Sequence, residues 1–260
     1  MGIPASIHVR SRGTRPGDDV ECAVRACFDE LHLIDRVFST YRPESDIRRI
    51  QRGELTIAEA DPHVAVVEAE CRAAELETGG LFSAFWRRWF DPTGYVKGWA
   101  TENAARRHLA PLIEHDVAVG INVGGDMQLF TAQESDWCWN VAIADPHRAS
   151  EVIATFTIAN GAVATSGTAE RGPHIVVPHS GLPAVSISSA TVIADGLTRA
   201  DLWATTAMVA GFDDRSWIAQ AGTRAGLVVA ADGRTSQWLG GVTVDVVDAG
   251  VREPGRPVRA

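Results

Sequence analysis

The sequence predicts a single domain of the α+β class that spans residues 1–260. Segments whose apolar residues recur with helical spacing dominate the first half of the chain, and short β-rich runs dominate the second half. The two kinds of segment do not alternate regularly, and this mixture favours α+β over α/β. No internal repeat, low-complexity tract or long linker marks a domain boundary.

The first half is expected to contain a strand in the first ten residues and then three main helices. The first helix is expected to begin at Asp18 or Asp19, because either carboxylate can act as its N-cap. The second is expected to begin at Asp61–Pro62, with aspartate as N-cap and proline at the first helical position, and to end at Gly79–Gly80. The third is expected from about 98 to 109.

The second half is expected to be built mainly from strands. The runs VAVGINV, WCWNVAIA, VIATFTI, AVSISSATVIA, GLVVAA and GVTVDVV are short, rich in β-formers and separated by Gly, Asp and Pro. One helix, from about 198 to 210, is expected to interrupt them.

The composition excludes several classes of protein. A hydrophobic content of 45%, a charged content of 22% and a net charge of −9 are typical of a globular protein and argue against broad binding to nucleic acid or anionic membranes. The four cysteines form no C-x-x-C pair, and a reducing compartment is the simplest interpretation. The chain shows no secretory signal pattern and no run of 18 apolar residues, so we expect a cytoplasmic location without membrane insertion.

The stretch FDPTGYVKGWA, residues 90–100, places one cation between two glycines. Lys97 lies between Gly94 and Gly98, just ahead of the expected third helix. Such a segment can admit a phosphate-bearing ligand, but it can equally be an ordinary loop. The pattern alone leaves both interpretations open.

Asp201 and Thr205 are four residues apart in the helix expected from about 198 to 210, so their side chains share one face. A carboxylate and a hydroxyl are hard oxygen donors that suit Mg²⁺. The alternative is an acidic residue near the helix N-terminus, where the helix dipole favours it, followed by an unrelated threonine.

Two further segments carry candidate residues. Gly124 and Gly125 follow an expected strand and precede Asp126; they indicate a turn or bulge, or a close approach of the backbone to a ligand. In the segment ATSGTAERGPHIVVPHSGLP, His174 precedes the apolar Ile175. A histidine in this setting is either an ordinary strand residue or a group that binds phosphate or acts as a base.

The order of these segments resembles that of one protein family. The blocks MGIP, FSTYRPESDIRRI, DPTGYVKGWATENAA, INVGGDM, TSGTAERGPHIVVP with SGLP, and ADLWATTAMVAG are similar to those of the ApbE family, the FAD:protein FMN transferases. The similarity is collinear from Met1 to about Gly211. It implies an ApbE-like, T-fold-related architecture with two interleaved subdomains around an FAD cleft.

The resemblance also implies a reaction. Members of the family use Mg²⁺ to split the pyrophosphate of FAD, and they move FMN onto a threonine or serine hydroxyl of a target flavoprotein with release of AMP. For such a phosphoryl transfer the protein mainly supplies positioning and charge neutralisation. The glycines around Lys97 would then admit backbone close to the dinucleotide, and Lys97 would offset phosphate charge.

Carried over position by position, the resemblance implies two sets of site residues. The metal would be held by the side chains of Asp201 and Thr205 and by the backbone carbonyl of Ala105. Glu102 would contact the adenosine end of FAD, and His174 would position or deprotonate the acceptor hydroxyl. The full set expected to bind FAD is Met1, Gly2, Tyr41, Ser83, Lys97, Glu102, Gly124, Gly125, Asp126, His174 and Ile175.

The chain also departs from the family pattern. Ser83 and Val177 stand where aspartate is common, and the segment before Asp91 is shorter than usual. We expect no lipoprotein signal of the kind that exported members carry. Two alternatives therefore stay open: an Mg²⁺-dependent FAD pyrophosphatase that gives FMN and AMP, and a non-catalytic FAD-binding protein. A redox flavoenzyme is less favoured, because no G-x-G-x-x-G follows an expected strand.

Overall fold

The structure is a computed structural model that describes residues 3–11, 17–113, 117–148, 150–169, 172 and 174–240 and the backbone of 242–244. Met1 and Gly2 lie outside the described residues. The helices are α1 (Asp18–Phe38), α2 (Asp46–Gln51), α3 (Pro62–Glu77), α4 (Thr93–Ala104) and α5 (Leu197–Ala210). A π-helical turn, Ala105–Leu109, continues α4. None of the described helices has the combination of length and apolar character needed to cross a membrane.

Within the described residues, ten strands form the β structure. They are β1 (Ala5–Ser11), β2 (Val117–Val123), β3 (Asp126–Thr131), β4 (Trp139–Ala144), β5 (Val152–Ile158), β6 (Gly161–Gly167), β7 (Ile187–Ala194), β8 (Ala225–Ala230), β9 (Thr235–Leu239) and β10 (Val242–Val244). Eight of them form an antiparallel sheet in the order β1-β2-β3-β6-β7-β8-β9-β10, and β4 and β5 form a separate hairpin. The predicted α+β class is therefore confirmed.

The centre of the large sheet is covered on both faces. Alternate side chains of β6 point to opposite sides: Ala162 and Ala164 pack in the cluster that contains α5, and Val163 packs with the β4–β5 hairpin. Every residue of β7 is buried for the same reason. A third cluster joins α1, α3 and α4 to β1 and β2. Helix α4 of this cluster also packs on α5.

Several predicted helix boundaries are confirmed and two need correction. Asp61 accepts a hydrogen bond from the His63 N–H and caps α3, and Pro62 begins the helix, as predicted. At α1 the N-cap is Gly17, so Asp18 and Asp19 lie in the first turn, where they favour the helix dipole without capping it.

The larger correction concerns α4. This helix begins at Thr93, five residues before the predicted start, so Gly94, Lys97 and Gly98 are helical and do not form a loop. Helix propensity argues against this because glycine weakens a helix interior by about 1 kcal/mol relative to alanine. The packing of α4 against α5 explains why glycine is nevertheless present.

Candidate active site

The contact between α4 and α5 buries a cluster of three charged side chains. The Lys97 ammonium forms an ion pair with the Asp126 carboxylate and lies 3.3 Å from Asp201 Oδ1. The side chain of Asp126 is 1% exposed and that of Asp201 is 7% exposed. Buried charges persist only when they are paired and hydrogen-bonded, so these three groups depend on one another.

Gly98 explains how α5 comes so close to Lys97. Its N–H donates to Asp201 Oδ2 at 3.1 Å. A Cβ atom at Gly98 would lie 2.9 Å from both Asp201 Cβ and the Leu197 carbonyl oxygen, which is closer than real contacts allow. The glycine therefore admits the neighbouring helix. The role implied by the resemblance, to admit backbone close to the dinucleotide, stays a prediction.

The turn between β2 and β3 places Asp126. Val123 and Asp126 are paired across the hairpin, so Gly124 and Gly125 are its two-residue loop, with φ angles of 61° and 94°. Two positive φ values are the signature of a type I′ turn, which glycine adopts without strain. A Cβ at Gly124 would also collide with the side chain of Ile3. The sequence left open a turn or bulge and a close approach of the backbone to a ligand; the structure shows that these two glycines form a turn.

Two hydroxyl groups extend the cluster. The Thr205 Oγ1 and Ser166 Oγ atoms lie 3.1 Å apart, and the Thr165 N–H donates to Asp126 Oδ1 at 2.9 Å. Strand β6 thus supplies a hydroxyl on one side of α5 and a backbone donor to Asp126. Ser166 was not among the predicted site residues, because the sequence did not predict strand β6, which places its hydroxyl beside Thr205.

Burial and like charge both act on Asp126. Desolvation raises its pKa, repulsion from Asp201 raises it further, and attraction to Lys97 offsets part of this, leaving a pKa of about 6. For Lys97, burial acts to lower the pKa, but the attraction of Asp201 and Asp126 outweighs it and the pKa is raised. At neutral pH the three groups carry a net charge of −1, so a further cation is attracted.

The donor set fits a magnesium ion. Asp126, Asp201, Thr205 and Ser166 offer carboxylate and hydroxyl oxygens, the hard donors that Mg²⁺ prefers. The described part of the chain contains no group of three or more His, Cys, Asp or Glu side chains that could hold a metal. A site with two carboxylates matches the usual pattern for Mg²⁺, which is bound by one or two carboxylates together with water and substrate phosphates.

The structure does not bring Ala105 to this cluster. Helices α4 and α5 are antiparallel, because Gly98 contacts Asp201 and Glu102 contacts the earlier residue Thr198. Ala105 is seven residues beyond Gly98, about 10 Å along the axis in the direction away from Thr205. Its carbonyl already accepts the Ala110 N–H in the π-helical turn. The structure thus gives no support to the Ala105 carbonyl as a ligand beside Asp201 and Thr205, and this role stays a prediction.

Glu102 also lies away from Lys97, at the start of α5. The N-cap of α5 is Gly196, which has no side chain to cap the helix. Glu102 Oε2 accepts the Thr198 N–H at 2.8 Å, and Oε1 accepts from Arg106 at 2.8 Å. Glu102 thus supplies the missing cap from the neighbouring helix, which is a structural role that the sequence did not suggest.

Beside Glu102 lies an open cleft with a volume of about 450 Å³. Four carboxylates (Glu70, Glu77, Glu102, Asp195) and two guanidinium groups (Arg106, Arg199) line it, giving a charge of −2. The adenosine contact predicted for Glu102 stays a prediction.

The other expected FAD contacts lie at the surface. Tyr41 is 88% exposed, and His174 is exposed with its Nδ1 atom 2.9 Å from the Gly172 carbonyl oxygen. Ser83 is half-buried and accepts the Phe85 N–H, and Ile175 packs against the cluster around α5. Among the described residues, no hydrogen bond links His174 to Lys97, Asp126 or Asp201. These contacts remain predictions.

Comparison with known proteins agrees with this architecture. The model of the ApbE family matches residues 1–90 and 87–228, most of the chain. This chain belongs to the ApbE family. The resemblance inferred from the order of the sequence blocks is therefore confirmed. A comparison with curated proteins finds no match.

Solved structures show the same fold at low sequence identity. The ApbE protein of Thermotoga maritima MSB8 is 22% identical with a TM-score of 0.75, over 90% of this chain and 93% of that one. The flavinyl transferase ApbE of Pseudomonas stutzeri, in its apo form, is 18% identical with a TM-score of 0.68, over 93% and 98%. The flavin transferase ApbE of Vibrio cholerae is 18% identical with a TM-score of 0.68, over 91% of this chain and 97% of that one.

Proposed function

We propose that this protein transfers FMN from FAD to a threonine or serine hydroxyl of an acceptor flavoprotein, releases AMP, and requires Mg²⁺. Family membership and the flavin transferases among its structural neighbours support the reaction class. The observation that carries the proposal is the buried carboxylate pair, Asp126 and Asp201, with the Lys97 ammonium beside it. Phosphoryl transfer needs such a site, because the charge on the transferred group must be neutralised.

Asp201 and Thr205 are the proposed side-chain ligands of the magnesium ion. They share one face of α5, and the Thr205 hydroxyl is held by Ser166. A bound Mg²⁺ would supply positive charge to the pyrophosphate oxygens. Lys97 would contribute a second positive charge to the same phosphates. The Gly98 N–H holds the Asp201 carboxylate, so this ligand is in position before a metal enters.

The proposed transfer exchanges one phosphorus–oxygen bond for another. The acceptor hydroxyl oxygen bonds to the FMN phosphorus, the bond from that phosphorus to the bridging oxygen breaks, and AMP leaves with the electron pair. The hydroxyl proton must pass to a base. His174 is our candidate, because an exposed imidazole can reach an acceptor that docks from solution. The further proposed FAD contacts are Met1, Gly2, Tyr41, Ser83, Gly124, Gly125 and Ile175. A cytoplasmic location stays a prediction.

One incubation separates this function from its alternatives. The protein is mixed with FAD and Mg²⁺, with and without a domain that carries a flavinylation-type threonine, and AMP, free FMN and protein-bound flavin are followed. A transferase releases AMP in step with covalent flavin and only when the acceptor is present. Equal release of AMP and FMN with and without acceptor would instead establish a pyrophosphatase.

The departures at Ser83 and Val177 favour one alternative, a non-catalytic FAD-binding protein. Such a protein would release no AMP in either mixture, yet FAD would raise its melting temperature by mass action. Because acceptor recognition can be narrow, the incubation is repeated with several acceptor domains. If the protein binds FAD but transfers flavin to none of these acceptor domains, it is a non-catalytic FAD-binding protein and not a transferase.

A further inference from the structure

Lys97 is the only lysine in the 260-residue sequence. The chain has 24 basic residues, and all the others are arginine. Lysine is therefore not an interchangeable surface cation in this protein, and the one lysine lies between the two buried carboxylates of the candidate active site. This position calls for a property that guanidinium lacks.

Ammonium and guanidinium differ in shape and mobility. The lysine ammonium is a compact point charge on a flexible four-carbon stem, whereas guanidinium is a planar fork that binds best in a fixed geometry. A compact charge between two carboxylates resembles a small metal cation in size and sign. The Lys97 side chain is 24% exposed although its partners are almost fully buried, so part of this side chain reaches the solvent beside the cluster.

The carboxylates keep other partners that do not depend on Lys97. Asp126 Oδ1 accepts the Thr165 N–H at 2.9 Å, and Asp201 Oδ2 accepts the Gly98 N–H at 3.1 Å. In each case the oxygen that faces Lys97 is the other one of the carboxylate. If the ammonium leaves, both carboxylates stay oriented by the backbone, and two anionic oxygens become available at once.

From this arrangement we infer that Lys97 is an exchangeable internal cation. In the resting protein it joins Asp126 to Asp201, and it leaves both carboxylates when a divalent cation binds between them. The inference rests on the proposed function for the identity of the metal site, and it adds Asp126 to that site. The released ammonium is then free to pair with the phosphates that accompany the metal.

The first test compares metal affinities in protein free of flavin. Mn²⁺ serves as the probe for electron paramagnetic resonance, and Mg²⁺ competes with it. Lys97→Met removes the competing ammonium. We therefore expect this variant to bind Mn²⁺ at least about tenfold more tightly than the unmodified protein does, a factor within the coupling measured for close charge pairs. The matched control is Arg106→Met, which removes a positive charge just beyond α4 that pairs with Glu102, and it should leave the Mn²⁺ affinity unchanged.

The second test uses the unmodified protein, so it does not depend on the folding of a variant. Because the chain has one lysine, trace acetylation followed by mass spectrometry reports on Lys97, with the N-terminal amine as internal reference. Mg²⁺ should raise the acetylation of Lys97 several-fold and leave that of the N-terminal amine unchanged. Asp126→Asn should raise Lys97 acetylation without metal.

Three results would overturn the inference: equal or weaker Mn²⁺ binding by Lys97→Met, no metal binding by either protein, or Lys97 acetylation that does not respond to Mg²⁺. All of these measurements omit FAD and an acceptor. If the protein shows the exchange of Lys97 for a metal but transfers no flavin, the proposed function is wrong and the inference about Lys97 still holds.

Discussion

The two ends of the α4–α5 pair use carboxylates in opposite ways. At one end, Glu102 receives a backbone N–H of α5 and a guanidinium, so its charge is balanced within a helix cap. At the other, Asp126 and Asp201 share the single ammonium of Lys97 and are almost fully buried. The first carboxylate is held by two donors at the edge of an open cleft, whereas the second pair is almost fully buried around one shared cation. We infer that burial and the shared ammonium distinguish the chemical end of this helix pair from the structural end.

The largest expected effect comes from removing the metal carboxylate. Asp201→Ala should reduce Mg²⁺-dependent flavin transfer by about a hundredfold or more, because the metal supplies several kcal/mol of charge stabilisation. Thr205→Ala should have a milder effect. Initial rates over a magnesium titration measure both. Wild-type activity of Asp201→Ala at every magnesium concentration would remove Asp201 from the metal site.

Gly98→Ala should damage the packing of the two helices. The added Cβ would lie 2.9 Å from a backbone oxygen and from Asp201 Cβ, so α5 must shift. We expect a loss of about 1–3 kcal/mol in the free energy of unfolding, measured in urea, together with slower transfer.

The matched control for this change is Gly94→Ala in the same helix. Its Cβ would lie 3.3 Å from the edge of the Phe82 ring, a side chain that can adjust, and alanine favours the helix. Gly94→Ala should therefore cost less than Gly98→Ala, or even stabilise the protein. If the two variants lose equal stability, close packing against α5 is not the reason for Gly98.

The stability of the chemical end should also depend on pH. The pKa of Asp126, about 6, is above its ordinary value of 3.8, so the folded protein binds this proton more tightly than the unfolded chain does. The stabilisation is present below about pH 4 and is lost as the pH rises through about 6. Asp126→Asn should remove this fall, which is on the order of 1–3 kcal/mol. Urea unfolding of both proteins at several pH values without metal measures it, and identical pH profiles would contradict the assignment.

The smallest effect is expected at the cap. Glu102→Ala should lower the free energy of unfolding by about 1 kcal/mol, the typical value for a lost helix cap, and should leave the affinity for Mg²⁺ unchanged. Calorimetry measures the affinities of the unmodified protein and of Glu102→Ala for FAD and for FMN. Equal affinities before and after the change support a purely structural Glu102, whereas a selective loss for FAD would restore the adenosine contact predicted from the sequence.

The sequence predicted those features that depend on local chemistry. The cap of α3 at Asp61–Pro62 follows from two adjacent residues, and the common face of Asp201 and Thr205 follows from helical spacing. Strand β6 was missed, because GAVATSG is built from small residues with little strand propensity; it is a strand because α5 and the hairpin cover both its faces.

Features that depend on contacts distant in sequence could not be predicted. Gly98 and Asp201 are 103 positions apart, and only their contact shows that the glycine serves helix packing. The pairing of Lys97 with Asp126 was hidden for the same reason, although both had been named as site residues. The position of Ala105 relative to Thr205 could not be predicted either, because it depends on the antiparallel packing of α4 on α5, which carries residues after Gly98 away from Thr205.

The location of the metal tests the central claim most directly. Crystals grown with Mn²⁺ and FAD would show the metal by its anomalous scattering. Our account predicts a peak within coordination distance of Asp201 and Thr205, on the order of 2.0–2.3 Å from their oxygen atoms, with the Lys97 ammonium moved away from both carboxylates. A peak in the acidic cleft beside Glu102, with Lys97 still paired to Asp126 and Asp201, would contradict it.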